Sequence, residues 1–136
     1  MGEFRVGVKT IIIYNRKMLL IKRVSTEGGV WEIPGGLMEF EEDLHTALRR
    51  EIREETGLED IRIDKLIYAM TAKVSDERQI VGLGYISYAN SDKVMLSPEE
   101  HTDYIWADKE QMINLLNEYM LNLIRENCDL DSLDID

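Results

Sequence analysis

Three glutamates, Glu51, Glu54 and Glu55, stand where a purely structural helix would not put them. Residues 43–55 have helical periodicity, and Gly57 follows as a natural C-terminal stop. Leu44, Ala47, Leu48 and Ile52 recur at three- and four-residue spacing, which makes their side the core face. Turning about 100° per residue from Glu51 puts Leu44 at about 20°, Leu48 at about 60° and Glu55 at about 40°. Glu51 and Glu55 therefore continue the apolar stripe, with Glu54 at its edge. All three occupy the last turn, where the helix dipole disfavours an anion by roughly 0.3–1 kcal/mol. An exposed helix end would carry such charges without further meaning. Carboxylates in an apolar stripe at the negative end of a helix instead call for cations, and the arrangement predicts a divalent-metal site.

Strands must position that helix. Residues 6–14 and 18–23 are β-rich runs around Asn15-Arg16-Lys17, which reads as a hairpin. The segment 25–29 reads as a loop before the short run Trp31-Glu32-Ile33, and Pro34-Gly35-Gly36 reads as a break. Beyond the helix, residues 61–74 and 79–89 form two long strands around Ser75-Asp76-Glu77, and residues 104–106 form another. Residues 109–125 carry a broad apolar face and are expected as one packed helix. The whole reads as an α/β (α+β) fold, a mixed β-sheet between helices, in one domain over residues 1–128. An acidic tail, 129–136, is left to fray unless Leu130, Leu133 and Ile135 dock it.

Composition narrows the function. The net charge of −11 is concentrated: −5 lies in residues 126–136, −4 in residues 36–58 and only −2 elsewhere. So acidic a chain is ill suited to nonspecific nucleic-acid binding. A phosphate substrate would need metal to neutralise its repulsion from the site. No apolar run approaches the ~20 residues that cross a bilayer. The first ten residues do not have the layout of a signal peptide. One cysteine, Cys128, points to a reducing compartment such as the cytoplasm.

The central segment has a second reading. Gly36, five residues, Glu42, seven residues, then Arg50-Glu51-Ile52-Arg53-Glu54-Glu55-Thr56-Gly57-Leu58 matches the Nudix box at every defining position. Trp31-Glu32-Ile33-Pro34-Gly35 resembles the usual approach to it. The chain thus resembles the Nudix hydrolases of the small MutT-like type, from about residue 9 to residue 116. One departure is Glu41, where many members carry glycine. The resemblance implies the Nudix fold and hydrolysis of a nucleoside diphosphate linked to another moiety, with Mg²⁺ or Mn²⁺ as cofactor. Hard oxygen ligands without clustered Cys or His agree with those ions.

Carried over by position, the resemblance makes Glu51, Glu54 and Glu55 the principal metal ligands. Glu51 is the leading base, and a Gly35 carbonyl adds to the coordination. It implies that Glu42 supports metal or water from the start of the helix and that Arg50 orients the glutamates. From the loop before the last sheet strand, Glu100 is the choice for an extra ligand or alternative base. Arg23, after the second strand, reads equally as a phosphate clamp or a solvated strand end. Tyr14, Trp31, Tyr85 and Tyr104 are candidates to stack on a base.

The box leaves the substrate open. ADP-ribose pyrophosphatases usually carry a proline about sixteen residues after it, but this chain has only Pro34 and Pro98. Dinucleoside polyphosphate hydrolases tend to have a tyrosine nearby, and none occurs within residues 69–83. By elimination a (d)NTP or oxidised dNTP, converted to NMP and pyrophosphate, leads. Nucleotide sugar or ADP-ribose hydrolysis is the alternative, and a non-catalytic nucleotide sensor the reading from another class. The expected partner is a nucleotide-type small molecule, with no nucleic-acid polymer and no membrane. A homodimer would suit a small member of the family.

Overall fold

Alternation of side chains on two central strands builds cores on both faces of one sheet. The computed structural model describes residues 1–25 and 28–136, so Thr26 and Glu27, in the expected loop, lie outside the described residues. On β1 (Glu3–Tyr14), Val8 and Ile12 face one side and Ile11 and Ile13 the other, all at 0–2% exposure. On β2 (Lys17–Arg23), Leu19 and Ile21 oppose Met18 and Leu20 in the same way. Burying such a side chain contributes about 1.5–3 kcal/mol, so these strands anchor both layers. Helix α1 (Leu44–Thr56) covers one face. Helices α2 (Lys109–Leu115) and α3 (Glu118–Asn127) cover the other.

The remaining strands are β3 (Trp31–Glu32), β4 (Gly35–Leu37), β5 (Arg62–Lys73), β6 (Arg78–Tyr88) and β7 (His101–Ala107). The order runs β3-β2-β1-β6-β5, with β4 added to β1 and β7 to β2. β1 and β6 run parallel, from Glu3 opposite Arg78 to Ile13 opposite Tyr88, and the other pairs are antiparallel. The sheet is therefore mixed, as expected.

Two expectations change. Pro34-Gly35-Gly36 does not simply break the chain. Gly35–Leu37 forms a strand on β1, with Gly35 opposite Lys9. Gly35 has φ 148°, and a Cβ there would strike the Val8 carbonyl, so only glycine lets the strands approach. The helix expected over residues 109–125 is two helices. Leu116 turns extended at ψ 140°, and Asn117 caps α3 by accepting from the Met120 amide at 2.9 Å. The Asn117 amide and its Nδ2 both donate to the Trp31 carbonyl at 3.3 Å, so the edge strand captures the break.

The acidic tail docks. Leu133 is 5% and Ile135 0% exposed within the α2–α3 core. Asn15 and Arg16, at φ 49° and 62°, make the two-residue β1–β2 turn with the left-handed geometry a hairpin needs. Arg16 then pairs with Asp134 at 2.6 Å and Asp136 at 2.7 Å, so the charges of turn and tail offset each other. Glu41 also takes the left-handed region, at φ 72°, which accounts for glycine being usual there.

Asn117→Ala removes the cap and the side-chain half of the tie to Trp31, leaving the main-chain bond. Thermal or denaturant unfolding is expected to show a loss of about 1–2 kcal/mol.

Candidate active site

Helix α1 is held at both ends by local chemistry. The Asp43 side chain accepts from the Thr46 amide at 2.8 Å, and Gly57, at φ 74°, closes the helix through its amide to the Arg53 carbonyl at 2.9 Å. Its buried face is Ala47, Leu48, Ile52, Glu55 and Thr56, so the apolar stripe does run into a carboxylate.

Glu55 is 4% exposed. Its Oε1 accepts the Gly35 amide at 2.7 Å, and its Oε2 lies 3.8 Å from His101 Nε2. Burial pushes this carboxyl up to about 7, although the Gly35 hydrogen bond and the charges of Lys9 and His101 oppose it. Glu51 is raised too, first by burial and further by the charges of Glu54 and Glu100, with Arg50 pulling the other way. The Glu51 carboxylate rests on Gly36, where a Cβ would overlap it. Glu54 is 57% exposed at the edge of the group. The main chain of Glu100 is tied on both sides: its amide donates to Ser97 at 3.0 Å and its carbonyl accepts from Val24 at 2.8 Å. Glu51 is thus the centre of the group, feeling the charges of Glu54 and Glu100 and acting in turn on Glu55.

Arg50 organises the cluster. Its Nε and Nη2 hold the two oxygens of Glu42 at 2.7 and 2.8 Å, and Nη2 also donates to the Leu37 carbonyl at 3.0 Å. Nη1 reaches Glu51 at 2.9 Å and Glu54 at 3.3 Å. Glu42 additionally accepts the Glu39 amide at 2.8 Å. These bonds, that of Arg50 foremost, hold its carboxyl down to about 2. Both Glu42 oxygens are therefore engaged by Arg50.

A second cluster was not legible in the sequence. His101, 1% exposed, sets its Nε2 3.0 Å from Glu32 and near Glu55. Ligand atoms of Glu32, Glu55 and His101 lie within 4.8 Å of one another, so imidazole joins a site expected to be all oxygen. Arg23 grips Glu32 at 3.0 and 3.4 Å. Burial alone would raise Glu32, but the His101 hydrogen bond and the charges of Lys9 and Arg23 bring it down to about 2. An ionised Glu32 accepts, so His101 donates from Nε2, and its buried Nδ1 has no hydrogen-bond partner among the described residues. Ligation through Nε2 would move the proton to Nδ1 and strand a buried N–H. The geometry therefore favours His101 as an orienting donor. The one sequence signal was its position beside Glu100.

Gly35 and Gly36, which touch Glu55 and Glu51, also line a cavity of about 340 Å³ together with Lys9, Arg23, Tyr68, Met70, Tyr119 and Met120. None of Tyr14, Trp31, Tyr85 and Tyr104 lines it. Tyr68 and Tyr119 do.

The NUDIX domain model matches residues 3–126. A MutT-like protein of Streptomyces ambofaciens is 31% identical over 121 residues, 87% of this chain and 69% of that protein. The CTP pyrophosphohydrolase of Escherichia coli is 31% identical over 108 residues, 78% and 77% of the two chains. The RNA pyrophosphohydrolase of Pelagibacter ubique is 20% identical over 133 residues, 85% of this chain and 84% of that protein. The MutT protein of Methanosarcina mazei shares the fold with a TM-score of 0.77 at 23% identity, covering 92% of this chain and 93% of that one. A MutT Nudix hydrolase of Burkholderia pseudomallei superposes with a TM-score of 0.73 at 26% identity, over 91% and 98%. With the box folded as a capped helix and the NUDIX model matching nearly the whole chain, the chain belongs to the Nudix hydrolase family.

Proposed function

We propose that this enzyme hydrolyses a nucleoside triphosphate to the monophosphate and pyrophosphate with the help of Mg²⁺ or Mn²⁺. The observation that carries this reading is that Glu51, which feels the charges of Glu54 and Glu100, and buried Glu55 lie against Gly36 and Gly35, two residues lining a largely apolar cavity. Such hard, mutually repelling donors fit a divalent ion. Glu51, Glu54 and Glu55 would hold it, with Glu100 and the Gly35 carbonyl adding oxygens. When bound, the metal screens the diphosphate and lowers the pKa of water.

The protein groups supply position and proton transfer. Arg50, fixed by Glu42, holds one oxygen of Glu51, and the carboxylate faces the cavity edge across Gly36. A carboxyl raised by burial is a better base near neutral pH than an exposed one, so Glu51 takes the proton from the attacking water. Glu42 acts by anchoring Arg50. Arg23 and His101 keep Glu32 ionised and in place behind Glu55.

A nucleoside triphosphate is favoured by the relative named a CTP pyrophosphohydrolase, with identity spread over most of both chains. The net charge of −11 weighs against a polyanionic polymer. No helix among the described residues is long and apolar enough to cross a membrane.

One panel tests the reading: NTPs, dNTPs, oxidised dNTPs, ADP-ribose, nucleotide sugars and 5′-triphosphate RNA, each with Mg²⁺ and with Mn²⁺. Pyrophosphate release is expected from at least one triphosphate, and tight nucleotide binding without turnover anywhere would mark a sensor. Glu54→Gln is expected to lose most of the activity and keep the fold. Activity within about twofold of wild type would remove Glu54 from the metal site.

Glu55 adds a pH signature. Its folded-state pKa of about 7 exceeds its ordinary 4.5, so the native state holds a proton that the unfolded chain releases. The stability from that proton is fully present below about pH 4.5 and is lost as pH rises through about 7, on the order of 3 kcal/mol. With a chelator present, wild type should lose more melting temperature between pH 5 and 8 than Glu55→Gln. Parallel decline of the two would show that Glu55 does not titrate there.

A further inference from the structure

Around Lys9 the sheet is stripped of side chains. Lys9 stands opposite Gly35 on β4 and Gly84 on β6, and Gly7, two residues earlier on the same face, stands opposite Gly82. From β5, Tyr68 and Met70 lie across Gly84 and Gly82, where a Cβ would strike the Tyr68 ring and the Met70 sulfur. The result is a glycine-floored trough with apolar walls, which Lys9 also lines beside Gly35, whose amide holds Glu55.

That lysine is half-buried, and among the described residues its Nζ makes one hydrogen bond, to the Ile33 carbonyl at 3.2 Å. Among the described residues it forms no ion pair, although its charge is felt by Glu32 and Glu55. Arg23, the other cation lining the cavity, is already engaged by Glu32. A half-buried ammonium with free donors in an apolar trough needs an anion. A substrate passing from trough to carboxylates presents one at that point.

We propose that Lys9 binds the phosphate attached to the nucleoside, holding it where the substrate leaves the apolar trough and enters the carboxylate cluster. This rests on the reading of the chain as a nucleotide hydrolase. The nucleoside lies on the glycine floor against Tyr68, Met70 and Met120, and the outer phosphates reach Glu51 and Glu54. Lys9 is a positioning residue for the phosphate that receives or adjoins the attack. It sorts nucleotides from nucleosides without reading the base.

Calorimetric titration of CMP, GMP and AMP, and of the three matching nucleosides, into wild type, Lys9→Met and Lys9→Arg in EDTA tests this. For at least one base, wild type should bind the monophosphate roughly tenfold or more tighter than the nucleoside. In Lys9→Met that ratio should fall below about threefold with nucleoside affinity unchanged, and Lys9→Arg should restore part of it. Unchanged nucleoside affinity shows that the trough is intact, and loss of both ligands in Lys9→Met would overturn the assignment in favour of a structural role. A preference that survives Lys9→Met, or wild type with no preference for any monophosphate, would also overturn it. The titration needs no turnover. Preference without hydrolysis would sink the hydrolase reading alone, and hydrolysis with an unaltered Lys9→Met would sink only the role of Lys9.

Discussion

A carboxylate buried between a helix and a sheet governs this molecule. Glu55 belongs to the face of α1 that packs inward, so helix docking forces it out of water along with Ile52 and Leu48. Desolvating a carboxylate costs several kcal/mol unless donors or cations replace the water. The surrounding architecture supplies them. The Gly35 amide is aimed at Glu55 by a strand that only a glycine could bring so close to β1, and His101 and Lys9 add positive potential from two other strands. The residual deficit is what leaves the Glu55 pKa raised to about 7.

Arg50 solves the complementary problem on the exposed side. Three glutamates hydrogen-bond its guanidinium, yet the bonds are unequal. Glu42 takes the bidentate grip, while Glu51 and Glu54 receive single bonds from one nitrogen. A planar fork clamped on one carboxylate is a rigid platform for the others. The box thus contains its own scaffold, with one acid spent on fixing the arginine that arranges the rest.

What could be read from the sequence followed the range of the interactions. Helix α1, its Gly57 stop, the misplaced glutamates and the β1–β2 hairpin depend on neighbours a few residues apart, so periodicity and turn signals exposed them. The short strand at Gly35–Leu37 was hidden because Pro-Gly-Gly signals a turn and only the partner β1 makes it a strand. The division of the 109–125 helix depends on Trp31, more than eighty residues earlier, capturing Asn117. His101 and Glu32 meet across sixty-nine residues, and nothing local marks the pair. Lys9 looked like any lysine in a strand, because its meaning lies in glycines on two other strands.

The parallel ladder between β1 and β6 carries a kinetic consequence. Each of its residue pairs joins positions about seventy-five apart, with the hairpin and helix α1 in the intervening chain. The same β1 residues that meet β6 also receive β4, and β4 presents the amide that holds Glu55. Long loops must close before such pairs form, which slows folding relative to a topology built from local contacts. The helix and the hairpin need only neighbouring residues, whereas the Gly35 amide reaches Glu55 only with β4 seated on β1. A partly folded molecule with the helix formed and β4 unseated therefore carries the box without the site.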